Sequence, residues 1–185
     1  MSIRITGGIF RGRLLNVPAK GVRPTQDKVR AAIFSSLQSV VPGAKVLDLF
    51  AGTGAFGLEA LSRGAEFACF VEADHKTLSC LKENAERLAG NEEQKWQIVR
   101  SDVEDFLAAN RAQTHYDVIF ADPPYDSAGE WTKKILFHLE KKPILREKGF
   151  FVIESGAKSP AIETEAWRIR WQRVYGETRV CMYMS

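Results

Sequence analysis

The stretch VLDLFAGTGAFGLEA, residues 46–60, decides the fold. An apolar run broken only by Asp48 passes into a glycine-rich turn and then into a helix-spaced apolar segment. Gly52, Gly54 and Gly57 form a GxGxxG pattern. Such a turn lets a ligand approach the backbone while a helix N-terminus begins beside it. Alone the pattern is weak, because a tight strand-to-helix turn with no ligand uses the same glycines. Asp48 sharpens it: a carboxylate inside an apolar strand is costly without a partner, and a cationic ligand beside the loop would suit it.

The same alternation continues outward. Apolar runs at 45–50, 67–72, 96–100, 116–121 and 150–154 are separated by helix-spaced segments at 55–63, 75–89, 103–110 and 130–141. Gly64 and Gly90 end two of these helices, and Pro143 follows the last. Continuous apolar strands alternating with amphipathic helices predict an α/β fold with a mostly parallel sheet covered on both faces. Residues 167–174 and 178–184, joined through Tyr175-Gly176-Glu177, predict a C-terminal antiparallel hairpin at one edge. Upstream, residues 3–17 alternate weakly and carry Gly7, Gly8 and Gly12, as a small hairpin would. Thr25 can cap a helix over 26–40, with Val29, Ile33 and Leu37 at helical spacing. The expected organisation is an extension over residues 1–42 and one domain over 43–185.

A chain of 185 residues with 45% apolar and 26% charged residues suits one globular domain with a real core. Cys69, Cys80 and Cys181 show no CxxC spacing, and His75, His115 and His138 are isolated, so neither a disulfide framework nor a metal site is expected. The opening MSIRITGG has no apolar signal core and no window is long enough to span a bilayer, which predicts a cytoplasmic protein. The net charge of +3 hides an asymmetry. Residues 1–30 hold seven Lys/Arg (Arg4, Arg11, Arg13, Lys20, Arg23, Lys28, Arg30) against Asp27 alone, leaving 19 basic and 22 acidic residues for the rest. A basic arm on a mildly acidic body predicts a polyanionic partner held at one end.

Ligands of such sheets bind beyond the carboxyl ends of the strands, so the residues at those ends are the candidates for chemistry. Glu72 stands twenty residues after Gly52, the spacing of an acid that accepts ribose hydroxyls. Asp74 suits the N-cap of the following helix. Asp102 can accept from an adenine amino group while Val103 packs on the ring, and Ser101 or Asp102 can equally cap the helix at 103. The fourth strand ends ADPPY, residues 121–125. Pro123 and Pro124 cannot donate, so this turn offers carbonyl oxygens and the Asp122 carboxylate, with Tyr125 as an aromatic face. Acceptors in a rigid turn beside a stacking platform suit a planar base with an exocyclic amino group, held out of its stack.

With these residues in place, the chain resembles class I S-adenosylmethionine-dependent methyltransferases of Rossmann-like fold. DLFAGTG is similar to their cofactor loop and DPPY to the (D/N)PP(Y/F) motif of amino-nitrogen methyltransferases. More closely it resembles the RsmD family of 16S ribosomal RNA guanine-N2 methyltransferases, through IRITGGIFRGRLLNVP, RPTQDKVRAAIFSSL, VLDLFAGTGAFGLEALSRGA, VEAD, LKEN and DPPY. The resemblance implies S-adenosyl-L-methionine as cofactor and a seven-stranded sheet with the hairpin extension packed on it. It implies that Asp48, Ala51, Gly52 and Gly54 hold the methionine part, Glu72 the ribose, and Asp102 with Val103 the adenine. Asp122 and the Pro123 carbonyl would hold the target amino group and Tyr125 would stack on the base. Arg4, Arg11, Arg13, Arg23 and Thr25 would face RNA, with Arg23 and Thr25 at the mouth of the site. The implied partner is ribosomal RNA within a small-subunit particle, with no membrane and no obligate protein partner. Residue chemistry alone stops at the amino nitrogen of a planar base, which leaves adenine N6 or a protein glutamine as the alternative.

Overall fold

The computed structural model describes residues 3–18, 27–90, 94–109 and 115–185. Strands β1 (Ile3–Arg4) and β2 (Leu14–Leu15) pair antiparallel in a small hairpin. The remaining strands, β3 (Lys45–Leu49), β4 (Phe67–Glu72), β5 (Trp96–Arg100), β6 (Tyr116–Ala121), β7 (Leu145–Gly156), β8 (Ile169–Tyr175) and β9 (Thr178–Met184), form one sheet in the order β5-β4-β3-β6-β7-β9-β8. The first five are mutually parallel, and β9 runs antiparallel between β7 and β8. The chain moves from β3 outward through β4 and β5, then crosses back to β6 on the other side of β3. The carboxyl ends of β3 and β6 therefore flank the switch point at which such sheets bind ligands.

Among the described residues five helices cover the sheet: α1 (Asp27–Ser36), α2 (Ala55–Ser62), α3 (His75–Ala89), α4 (Val103–Ala108) and α5 (Ala128–Lys141). Alternation along β3 explains which helices lie on which face. Leu47 and Leu49 join Val71 and Ile119 against Phe106 and Leu107 of α4 and Ile135 and Leu136 of α5. Val46, on the other face, joins Phe120 and Val152 against α1 and α2. There Phe120 meets Phe34 of α1 at 5.3 Å and stacks on Phe56 of α2 at 4.9 Å, so two helices are anchored under the strand that ends in ADPPY. Among the described residues no helix is long and apolar enough to cross a membrane.

The hairpin is fastened along α2. Glu59, fully buried in the middle of that helix, accepts from the Thr6 amide and hydroxyl at 2.7 Å each, from Arg63 at 2.8 Å and from Arg30 at 3.4 Å. Arg30 also donates to Asp27 at 2.9 Å and to the Arg4 carbonyl. Removing one partner of a buried pair leaves an uncompensated charge at about 3–5 kcal/mol, so Glu59 and Arg30 hold the hairpin, α1 and α2 in one arrangement. Arg30 corrects the charge count made from sequence: it is wholly buried and paired, and it does not contribute to the basic surface of the arm. At the hairpin tip the Ile9 amide donates to the Ser62 carbonyl at 2.8 Å. Gly8 sits there at φ 75°, where an added Cβ would lie 1.8 Å from that carbonyl oxygen.

Several boundaries differ from the sequence expectation for physical reasons. Helix α1 stops at Ser36 rather than residue 40, and Val40 and Val41 instead donate back to Leu37 in a tight turn ahead of Pro42. Helix α5 starts at Ala128, two residues earlier than read, directly on a 3₁₀ turn over Tyr125–Ser127. Strand β7 is twelve residues long, not five. Its register with β6 jumps from Tyr116↔Leu145 to Val118↔Phe150, and Lys148 takes φ 63° inside that irregularity. Strand β8 begins at Ile169, leaving Trp167 as a buried anchor before it.

Candidate active site

Phe50, directly after β3, adopts φ 59°, and Gly52 and Gly54 follow at 55° and 86°. Three left-handed residues in five turn the chain sharply from the strand into α2, and Phe50 tolerates this while its ring meets Trp131 edge-on at 4.9 Å. The glycines of GxGxxG then divide into two kinds. A Cβ on Gly54 would press on Leu81 at 2.5 Å and one on Gly57 on the Phe70 ring at 2.2 Å, so Gly54 lets the loop pack on α3 and Gly57 lets α2 pack on β4. A Cβ on Gly52 would meet nothing closer than the Phe50 carbonyl at 3.9 Å, so its backbone faces open space. Gly52 alone has the form of a ligand cradle.

Asp48, two residues before this turn, is buried, and its Oδ2 accepts from the Gly57 amide in the first turn of α2 at 2.9 Å. Burial pushes its pKa well up; the Gly57 hydrogen bond opposes this, and the nearby carboxylates of Asp122 and Glu72 reinforce it. The ionised form is thus underneutralised, the environment that a ligand ammonium group relieves. Glu72, at the end of β4, accepts from the Gly52 amide at 2.8 Å with one oxygen and from the Asp74 amide at 2.8 Å with the other. It therefore fixes the cradle loop in addition to presenting a carboxylate at the strand end. Asp74 caps α3 by accepting from the Thr77 amide at 2.8 Å and hydroxyl at 2.7 Å, as its position predicts.

Asp102 lies exposed at the end of β5 and accepts from the Glu104 amide at 2.8 Å, so the capping role read as one of its two possibilities is the one the protein itself occupies. Val103 beside it is buried. On the opposite side of β3, Asp122 and Pro123 leave β6, and Tyr125 starts the 3₁₀ turn. The Pro124 carbonyl is consumed by the turn, accepting from the Ser127 amide at 3.1 Å and hydroxyl at 3.2 Å. The Tyr125 hydroxyl lies 2.5 Å from Thr178 Oγ1, which pins the ring at the start of β9.

The structure thus brings Asp48, Ala51, Gly52, Gly54, Glu72 and Asp122 together at the switch point, with Tyr125 beside them. Asp102 and Val103 flank this group two strands from β3. Arg11 and Arg13 do not join it: the hairpin tip packs at the far end of α2, a helix of eight residues or about 12 Å. Arg4 is exposed near the start of α1, where its amide reaches Asp27 at 3.4 Å. Arg23 and Thr25 lie outside the described residues. A groove of about 820 Å³ runs between α3 and the edge strand β5, lined in part by His75, Trp96 and Arg100, and contains none of the aligned strand-end acids.

Three residues escaped sequence reading. Glu154 is buried within β7, one position beyond Ile153, which pairs with Ala121, so Glu154 stands level with Asp122 where the chain leaves β6. Its signal was present: a carboxylate at the end of the apolar run FFVIE, as with Asp48. Thr178 carries no local signal, since its partner lies 53 residues away, and Asn84, although it stands in LKEN, gives no sign of its partner 68 residues away.

Comparison with known proteins identifies relatives over the full length of the chain. A family model described as conserved hypothetical protein 95 matches residues 3–184. Ribosomal RNA small subunit methyltransferase D of Escherichia coli is 36% identical over 185 residues, covering 98% of this chain and 89% of the relative. The same-named protein of Haemophilus influenzae is 33% identical, covering 99% and 94%. The solved structure of the Escherichia coli protein yhhF superposes with a TM-score of 0.86 at 34% identity, covering 100% of this chain and 98% of that one.

Proposed function

The chain belongs to the ribosomal RNA small subunit methyltransferase D family, and from that premise we propose that it methylates the exocyclic N2 amino group of a guanine in 16S ribosomal RNA. It is an S-adenosylmethionine-dependent rRNA methyltransferase. The observation that carries the finer reading is the pairing, across the switch point, of an open glycine cradle after β3 with a donor-stripped Asp-Pro-Pro turn after β6.

In this reading Gly52 and Asp48 receive the methionine part of the cofactor, Glu72 the ribose, and Asp102 with Val103 the adenine. The bound sulfonium supplies an electrophilic methyl group and needs no further activation. The protein must instead correct a poor nucleophile, because the amino lone pair of guanine is delocalised into its ring. Asp122 and the Pro123 carbonyl accept the two N–H bonds, which favours a pyramidal nitrogen and stabilises the positive charge that develops on it. A carboxylate is too weak a base to deprotonate a neutral aromatic amine. Asp122 orients and stabilises, and the proton leaves after transfer. The Tyr125 ring, fixed through Thr178, forms the wall on which the base stacks.

The proposed substrate is a small-subunit particle in the cytoplasm, held through its phosphates by the basic hairpin. Arg11 and Arg13 then grip phosphates away from the reacting base. Replacing both by Ala makes the slope of log affinity against log salt shallower by about 1 per arginine. Filter binding of 16S rRNA at several salt concentrations measures this, and an unchanged slope removes both from the interface. The reaction is tested by offering naked 16S rRNA, small subunits, DNA and protein with radiolabelled S-adenosylmethionine. Mass spectrometry of the labelled nucleoside distinguishes N2-methylguanosine from N6-methyladenosine, and label in protein alone defeats the reading.

A further inference from the structure

Asn84 lies fully buried in the middle of α3, and its carboxamide touches two parts of the molecule that serve different ligands. Its Nδ2 donates to the Thr53 carbonyl at 3.1 Å and to the Asn16 carbonyl at 3.0 Å. Its Oδ1 accepts from the Asn16 amide at 2.8 Å and from Arg87 at 3.2 Å. All four positions of the amide are used, and the partners fix its orientation: two carbonyls require the NH₂, and a backbone amide requires the oxygen. Thr53 lies between Gly52 and Gly54 in the cradle loop. Asn16 follows β2, the strand that returns from the arginine-bearing tip, and Arg87 extends the contact by donating to the Leu14 carbonyl at 2.6 Å. Leaving any of these groups unpaired in the interior is costly, so hairpin and loop hold one another through a single side chain.

We propose that Asn84 is a positioning residue that couples RNA held on the hairpin to the setting of the cofactor loop, so that the two ligands bind cooperatively. RNA on the hairpin restrains Asn16, Asn16 restrains the Asn84 amide, and the amide restrains the Thr53 carbonyl and with it Gly52. The cofactor then meets a loop whose ordering has already been accomplished, and it binds more tightly. Linkage requires the converse: bound cofactor raises RNA affinity by the same factor. The inference rests on the functional reading above, in which the hairpin holds RNA and the loop holds cofactor.

The test measures the affinity of S-adenosylhomocysteine with and without small ribosomal subunits, the RNA ligand throughout, and of the subunits with and without S-adenosylhomocysteine. Wild type shows about a tenfold tightening in both directions, within the usual range of coupling between sites. Asn84→Ala reduces the factor to below about twofold, whereas Glu83→Ala, which loses only a contact to the exposed Asn16 side chain, retains it. Should Asn84→Ala not fold, hydrogen exchange on the wild-type protein decides: added RNA must slow exchange of the amides of residues 50–54. Binding of both ligands with independent affinities, or unchanged exchange in that loop, overturns the coupling and leaves the functional reading intact. Failure of either ligand to bind overturns the functional reading and the coupling with it.

Discussion

Asp122→Asn lowers kcat by about 10²–10³-fold, the usual loss on removing one electrostatic contact to charge that develops in a transition state. Asparagine preserves the shape of the turn and one carbonyl acceptor. It places an NH₂ where the second carboxylate oxygen stood, so one face of the turn now presents a donor to an amino group that is itself a donor. It also removes the negative charge opposite a nitrogen becoming positive. Cofactor affinity holds within about twofold, because the proposed role of Asp122 is to touch the reacting base and not the cradle. The electrostatics favour that outcome: Asp122 is one of the carboxylates that push the Asp48 pKa up, and neutralising it eases the ionisation of Asp48. The measurement is single-turnover methylation of small subunits alongside calorimetric titration of S-adenosylhomocysteine. Unchanged turnover would remove Asp122 from the chemistry, and a parallel collapse of cofactor affinity would make it a cradle residue.

How far the sequence disclosed this site follows from the range of the forces involved. The ends of β4 and β6 coincide with their expected limits, because a parallel strand buried on both faces is a continuous apolar run whose end is a change in chemistry. Asp48, Glu72 and Asp122 were legible for the same reason: each is a carboxylate at or inside an apolar run. Strand β7 was read short because Arg146, Glu147 and Lys148 break the run, yet the backbone continues through them by a register shift that only β6 dictates. The basic arm was misjudged at Arg30 because nothing nearby announces Glu59, whose partners stand 29 and 53 residues away. A glutamate within the helix segment FGLEAL was the available clue, since a charge facing a core requires a partner. The role of the hairpin as a clamp on α2 and α3 was illegible for the same cause: it is built from long-range hydrogen bonds, which have no periodicity.

Asp48→Asn is expected to stabilise the protein while impairing it. The folded-state pKa of Asp48 is raised, first by burial, above the value of about 3.8 it holds when exposed. The native state therefore binds more protons than the unfolded chain across the interval from that value up to the raised one. The contribution to stability is complete below the unfolded pKa and is lost as pH rises through the folded pKa. Asparagine keeps an oxygen for the Gly57 amide but has no charge to desolvate. The variant thus matches wild type near pH 4 and exceeds it at pH 8, with Tm rising about 2–4 °C for each kcal/mol recovered. Cofactor affinity moves the other way, falling by about 10- to 100-fold, the usual worth of a hydrogen bond to a charged group. A ligand ammonium beside Asp48 favours the carboxylate, so binding to wild type releases a proton and tightens as pH rises, whereas binding to the variant loses that dependence. Thermal denaturation between pH 4 and 8, paired with titration of S-adenosylhomocysteine over the same range, reads both effects. A buried acid that destabilises its own fold is retained only where a ligand needs it, so a variant with raised Tm and undiminished affinity would show that Asp48 serves the α2 turn and not the cofactor.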